Sequence, residues 1–100
     1  MNLLQIRRAE LQPGDQLIVK TLNSTYSIEY AGDGLYAVTG GWFESQGQVP
    51  YVLAIVGCTW GGSVIKIDIL AACGLCLEFS NRVVTSPIRQ IWLVPAEYRN

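Results

Sequence analysis

The tetrapeptide Cys73-Gly74-Leu75-Cys76 is the most chemically suggestive spacing in the chain. A CxxC pair does redox work when its first thiolate sits at a helix N-terminus in an α/β setting. Here its flanks read as strand and turn, and with Cys58 the thiols number three, one short of the four Cys or His ligands of a structural zinc. The simpler reading is three free thiols behaving as small apolar side chains. Ser63-Val64-Ile65-Lys66 has the SxxK spacing of penicillin-recognising acyl enzymes, which needs both residues on one face of a helix. In a strand, positions three apart point to opposite faces, and the accompanying SDN and KTG elements are absent. The chain contains no His, which removes Ser-His and Cys-His nucleophile pairs, the imidazole base and the His metal ligand. The Gly57–Ser63 segment has neither GxxxxGK[ST] nor GxGxxG, so it supports no phosphate cradle. Asp68 and Glu78 fall in neighbouring expected strands and are the remaining carboxylate pair for catalysis, although each reads as a residue of a solvated face. No spacing calls for a cofactor or a metal.

Binding is the better supported class. Trp42, Phe43 and Trp60 all fall in segments expected to be Gly-rich loops, where small β-domains present ligand-contacting rings. Arg82, Arg89 and Arg99, in the last segments, would supply a basic rim beside them. Against this stands a structural role, in which the same rings plug the ends of a small core.

Charge narrows the partners. Seven Lys or Arg oppose eight Asp or Glu, for a net charge of −1. This weighs against nucleic acid, whose non-specific affinity comes from cations neutralising phosphates. Residues 1–50 carry three cations against five acids and residues 51–100 four against three, giving −2 and +1. A nearly neutral chain that is 50% apolar has little self-repulsion, so a homo-oligomer is expected, with a protein or small-molecule ligand as the other partner class. The N-terminal residues carry no secretory pattern, and the longest apolar runs, Val49–Cys58 and Ile69–Leu77, fall short of a membrane helix. The expectation is a cytoplasmic protein.

The elements that must position these residues are strands. Turn chemistry at Pro13-Gly14-Asp15, Asn23-Ser24 and Gly32-Asp33-Gly34 separates three short segments, Asp15–Leu22, Thr25–Ala31 and Leu35–Thr39, into a meander. In the middle one Tyr26, Ile28 and Tyr30 alternate with Ser27, Glu29 and Ala31, the period of a half-buried strand. Asp33-Gly34 suits a hairpin because both residues tolerate positive φ. Further strands are expected at Pro50–Val56, Val64–Leu70, Leu75–Phe79, Arg82–Thr85 and Ile88–Val94. The apolar Pro50–Val56 reads as covered on both faces or lining an interface. Residues 1–10 fit a strand, a helical cap or an arm.

With 100 residues and 15% charge, the chain has room for one core, so residues 1–100 are expected to form a single all-β domain. Seven to eight short strands at this spacing predict a small barrel, SH3-like or a similar partly open barrel. The leading functional expectation is a non-enzymatic, self-associating interaction module with the 40–49 and 57–63 loops as its contact surface. The alternatives are a single-stranded nucleic-acid-binding barrel, needing the aromatics with Arg82, Arg89 and Lys66 in one groove, and a small enzyme using Asp68 or Glu78 in the barrel mouth.

Overall fold

The computed structural model describes residues 1–47, 49–60 and 64–98. Strands dominate them, as the alternation requires: β1 (Asn2–Leu3), β2 (Gln5–Arg7), β3 (Gln16–Thr21), β4 (Thr25–Gly32), β5 (Leu35–Gly40), β6 (Tyr51–Leu53), β7 (Ile55–Trp60), β8 (Val64–Lys66), β9 (Ile69–Ala72), β10 (Cys76–Phe79) and β11 (Ile88–Val94). Among the described residues helix is confined to one turn, α1 (Gly41–Glu44), and two 3₁₀ segments, Arg8–Glu10 and Ala96–Tyr98. No helix among the described residues is long and apolar enough to cross a membrane.

The expected meander forms, with β3, β4 and β5 antiparallel neighbours in sequence order. It sits inside a six-stranded sheet of order β1-β11-β3-β4-β5-β6. A three-stranded sheet, β10-β7-β8, and a two-stranded one, β2-β9, complete the domain. Among the described residues no sheet closes on itself.

Among the described residues eleven strands replace the expected seven or eight for a physical reason. The runs expected at 50–56 and 64–70 each bend and exchange partners, so β6 pairs with β5 while β7 pairs with β10 and β8. Residues 2–7 behave alike: β1 lies against β11, and three residues later β2 lies against β9. Residues 1–10 therefore combine two short strands with the 3₁₀ turn Arg8–Glu10. The expected strand Arg82–Thr85 is reduced to a single bridge, Glu78 to Val84. Its chain enters through Arg82 at φ 72°, a turn conformation that does not extend a ladder. The expectation that 50–56 is covered on both faces also fails: β6 is a sheet edge and Val52 is exposed.

Register sets the faces. Leu17, Val19 and Thr21 of β3, Tyr26 and Ile28 of β4, and Tyr36 and Val38 of β5 point inward and are buried with Leu70, Leu77, Phe79 and Ile91. The opposite face carries Gln90, Lys20 and Thr25 in one cross-strand row, and Asn2, Trp92, Ile18, Ser27 and Thr39 in the next. Asp15 locks one end: its carboxylate accepts the Gln12 N–H (2.9 Å) and the Ala96 N–H (2.9 Å), tying the Pro13-Gly14 turn to the chain after β11.

Candidate interaction surface

Phe43 corrects one expectation outright. It is 0% exposed, because the one-turn α1 rolls its ring inward instead of leaving it on an open loop. There it meets Phe79 edge-on (4.8 Å between centroids), Trp42 (5.2 Å), Tyr51 (5.3 Å) and Tyr26 (6.2 Å). Glycine makes the turn into α1: Gly40 has φ 93°, and a Cβ there would collide with the Thr25 carbonyl. Trp42, half-exposed, forms the rim of this aromatic cluster through Phe43 and Tyr51. Within residues 40–49 Phe43 is thus the core plug, while Trp42, residues 44–47 and Val49 are exposed.

Trp60 stands elsewhere. The 57–63 segment was expected to be a loop, but β7 continues through Trp60, at the opposite end of the 51–60 run from Tyr51 and its neighbour Trp42. Residues 61–63 of the expected loop lie outside the described residues. Trp60 is 67% exposed and faces Val64 across the β7–β8 pair, where Val64 is also exposed. Ile65 and Ile67 are exposed as well, so four large apolar side chains crowd residues 60–67. β8 is the edge of its sheet among the described residues, and all three of its residues are exposed.

The root of this pair is held by a residue that sequence reasoning missed. The Arg8 guanidinium donates to the Ile67 carbonyl (3.0 Å), the Val56 carbonyl (3.1 Å) and the Tyr36 hydroxyl (3.5 Å). The Arg8 backbone N–H adds a bond to the Asp68 carbonyl at 3.0 Å. Burial raises the Tyr36 phenol pKa, and Arg8 opposes the shift. Gly57 also belongs to the root: its φ is 150°, and a Cβ there would strike the Lys66 carbonyl, so only glycine lets β7 and β8 meet this closely. Beyond the root, Thr59 lies between Cys76 and Ile65 in register and is 0% exposed, its hydroxyl without a hydrogen-bond partner among the described residues.

The remaining candidates are dispersed. Arg82 is exposed in the turn after β10, Lys66 is on β8, Arg89 is on β11 and Arg99 lies outside the described residues; none of the three clefts found among the described residues is lined by Trp42, Trp60, Lys66 or Arg82. Asp68 is exposed between β8 and β9, and half-buried Glu78 sits in β10 opposite Gly57. Cys73 and Cys76 are half-buried free thiols spanning the turn between β9 and β10, and Cys58 is buried. Burial pushes the Cys58 thiol up from 9.0 to about 11, with a bond from the Ala72 backbone opposing the shift.

Arg89 has a different neighbourhood. It lines an open cleft of about 550 Å³ with Leu4, Lys20, Leu22, Cys73 and Gln90, where β3 ends and β11 begins. Lys20 and Gln90, cross-strand partners, also line a second depression of about 260 Å³ beneath Trp92. Trp92 was not singled out from sequence, although its place in an alternating strand next to Ile91 was the signal that its ring faces away from the core. Comparison with protein-family models, with curated proteins and with solved structures finds no match to this chain.

Proposed function

We propose that this domain is a non-enzymatic interaction module that associates with a second copy of itself through the β7–β8 pair. The observation that carries the reading is the exposure of Trp60 at the end of β7, of Val64 and Ile65 on the edge strand β8, and of Ile67 just after it. An exposed apolar edge strand offers unpaired backbone groups and a hydrophobic surface together, and natural proteins normally shield such an edge or use it for pairing. A two-fold interface is self-complementary, so one edge serves both copies. The net charge of −1 sets little repulsion against it. Arg8 and Gly57 fix the root of the pair and present it as a rigid surface, which lowers the entropy lost on association.

The architectural counterpart of this reading is a partly open small barrel. It is supported by the two runs, 2–7 and 51–60, that leave one sheet and enter another, as barrel corners do.

Sedimentation equilibrium over about a hundredfold concentration range tests the function. The expected result is reversible self-association that is lost in Trp60→Ser/Ile67→Ser while the circular dichroism spectrum is retained. A chain that stays monomeric throughout, or a variant that associates as tightly as the parent, refutes the proposal.

A further inference from the structure

We infer that the cleft between Leu4, Leu22 and Arg89 binds a small amphiphilic anion, a carboxylate or phosphate head carried on an apolar body. The site is remote in register from the β7–β8 pair and stands independently of the self-association above.

The β11 bulge supplies the first reason. Pairing with β3 shifts register between Ile88 and Gln90, and the burial pattern shifts with it. Counting back from buried Ile91, strict alternation would turn Gln90 outward and Arg89 inward. Instead Ile88 is buried and Arg89 and Gln90 are both exposed. A bulge that redirects one side chain is a common device beside binding sites, and here Arg89, exposed, is one of the residues that line the cleft.

Charge is the second reason. Lys20 and Arg89 both line the cleft and no Asp or Glu does. Neither cation has a carboxylate partner among the described residues. The acid of the same sheet face, Glu29, stands two cross-strand rows from Lys20. Two cations without counter-charges select an anion in a chain whose net charge is −1.

Apolar walls define the rest of the ligand. Leu4 is 83% exposed, the most exposed large apolar side chain among the described residues, and Leu22 is also exposed. Both stand on the cleft rim. Leu22 is held there by its N–H, which donates to the Pro87 carbonyl at 2.9 Å, and Leu4 by its carbonyl, which accepts the Cys73 N–H at 2.8 Å. Gln90 donates to the Asn2 side-chain carbonyl at 2.9 Å, so the polar rim is ordered too. The adjoining depression under Trp92 extends the apolar track past Lys20. The cleft is open to solvent, with a volume of about 550 Å³.

Amide-resolved NMR titration tests the inference with octanoate and hexyl phosphate as probes, and octylammonium and octanol as controls. Saturable shifts confined to the amides around residues 3–4, 20–22, 73 and 89–92 are expected with at least one anion, the tighter of the two naming the headgroup. Octylammonium and octanol should bind at least about tenfold more weakly, and Lys20→Gln/Arg89→Gln should weaken the anion about tenfold or more. Equal binding of the controls, shifts centred on residues 55–67, no saturable shift with either anion, or an unaffected double variant would each overturn it. The spectrum itself reports folding, and the single substitutions, read the same way, decide the question if the double variant is not folded. Repeating the titration on Trp60→Ser/Ile67→Ser separates this site from self-association: anion binding is expected to survive there, and its loss counts against the cleft.

Discussion

Replacing Phe43 with Ala decides whether this ring is a core member or part of a binding loop. The side chain is fully buried and touches four other rings, with centroid distances between 4.8 and 6.2 Å. Truncating a buried Phe to Ala removes its transfer free energy and leaves a cavity, together about 3–5 kcal/mol. A domain of this size is stable by about 5–15 kcal/mol, so the variant should lose a fifth or more of that and in the lower range approach unfolding. At roughly 4–8 °C per kcal/mol, the midpoint of thermal unfolding should fall by at least about 12 °C. Phe43→Leu keeps most of the apolar volume but forfeits the edge-on ring contacts, so its cost should be about 1–2 kcal/mol. Trp42→Ala, at the exposed rim of the same cluster, should fall below Phe43→Ala. Urea unfolding followed by far-ultraviolet circular dichroism measures all three. A loss below about 1 kcal/mol for Phe43→Ala is what a surface position gives, and it would refute the placement of this ring in the core.

Two further predictions concern the β7–β8 pair and its neighbourhood. Arg8→Gln removes the donors to the Val56 and Ile67 carbonyls, both charge-assisted, the first part-buried and the second exposed, so stability should drop by about 1–3 kcal/mol. Hydrogen exchange should quicken at residues 55–60 and 64–68 before it does in β3 and β4, and uniform quickening would argue against a local clamp. Cys58, raised from 9.0 to about 11 by burial, should react with thiol reagents after Cys73 and Cys76, as peptide mass spectrometry would show. Since the folded thiol holds its proton more tightly than the unfolded one, its contribution to stability is complete below pH 9 and is lost as pH rises towards 11. Removing the thiol in Cys58→Ala should flatten that part of the stability profile, and an unchanged slope would count against the assignment.

Local pattern was enough for the all-β class and for the meander. Thr25–Ala31 alternates with period two, and Asp33, at φ 55°, with Gly34, at φ 76°, makes the turn that its sequence expects. These features depend on neighbours within a few residues, and so does the strand Ile88–Val94. The burial of Phe43 against the exposure of Trp60 did not follow from local pattern, since both rings have Gly-rich surroundings. Their fates depend on what packs above them: Phe79 and Tyr26 cover one, and the other lies at the end of β7, past its last pair with β10, and is exposed.

The same distinction holds at the cleft and at the Arg8 clamp. Composition and spacing alone determined that no His-based chemistry is available, that the charges nearly cancel and that short strands must bury a single core. Which face Arg89 occupies was decided by a bulge in its pairing with β3, and the partners of Arg8 lie 28 to 59 residues away along the chain. Turn type and alternation are set by steric preferences of adjacent residues. Register, bulges and edges are instead set by closing long loops against a shared core, and that long-range competition is settled only when the whole chain has folded.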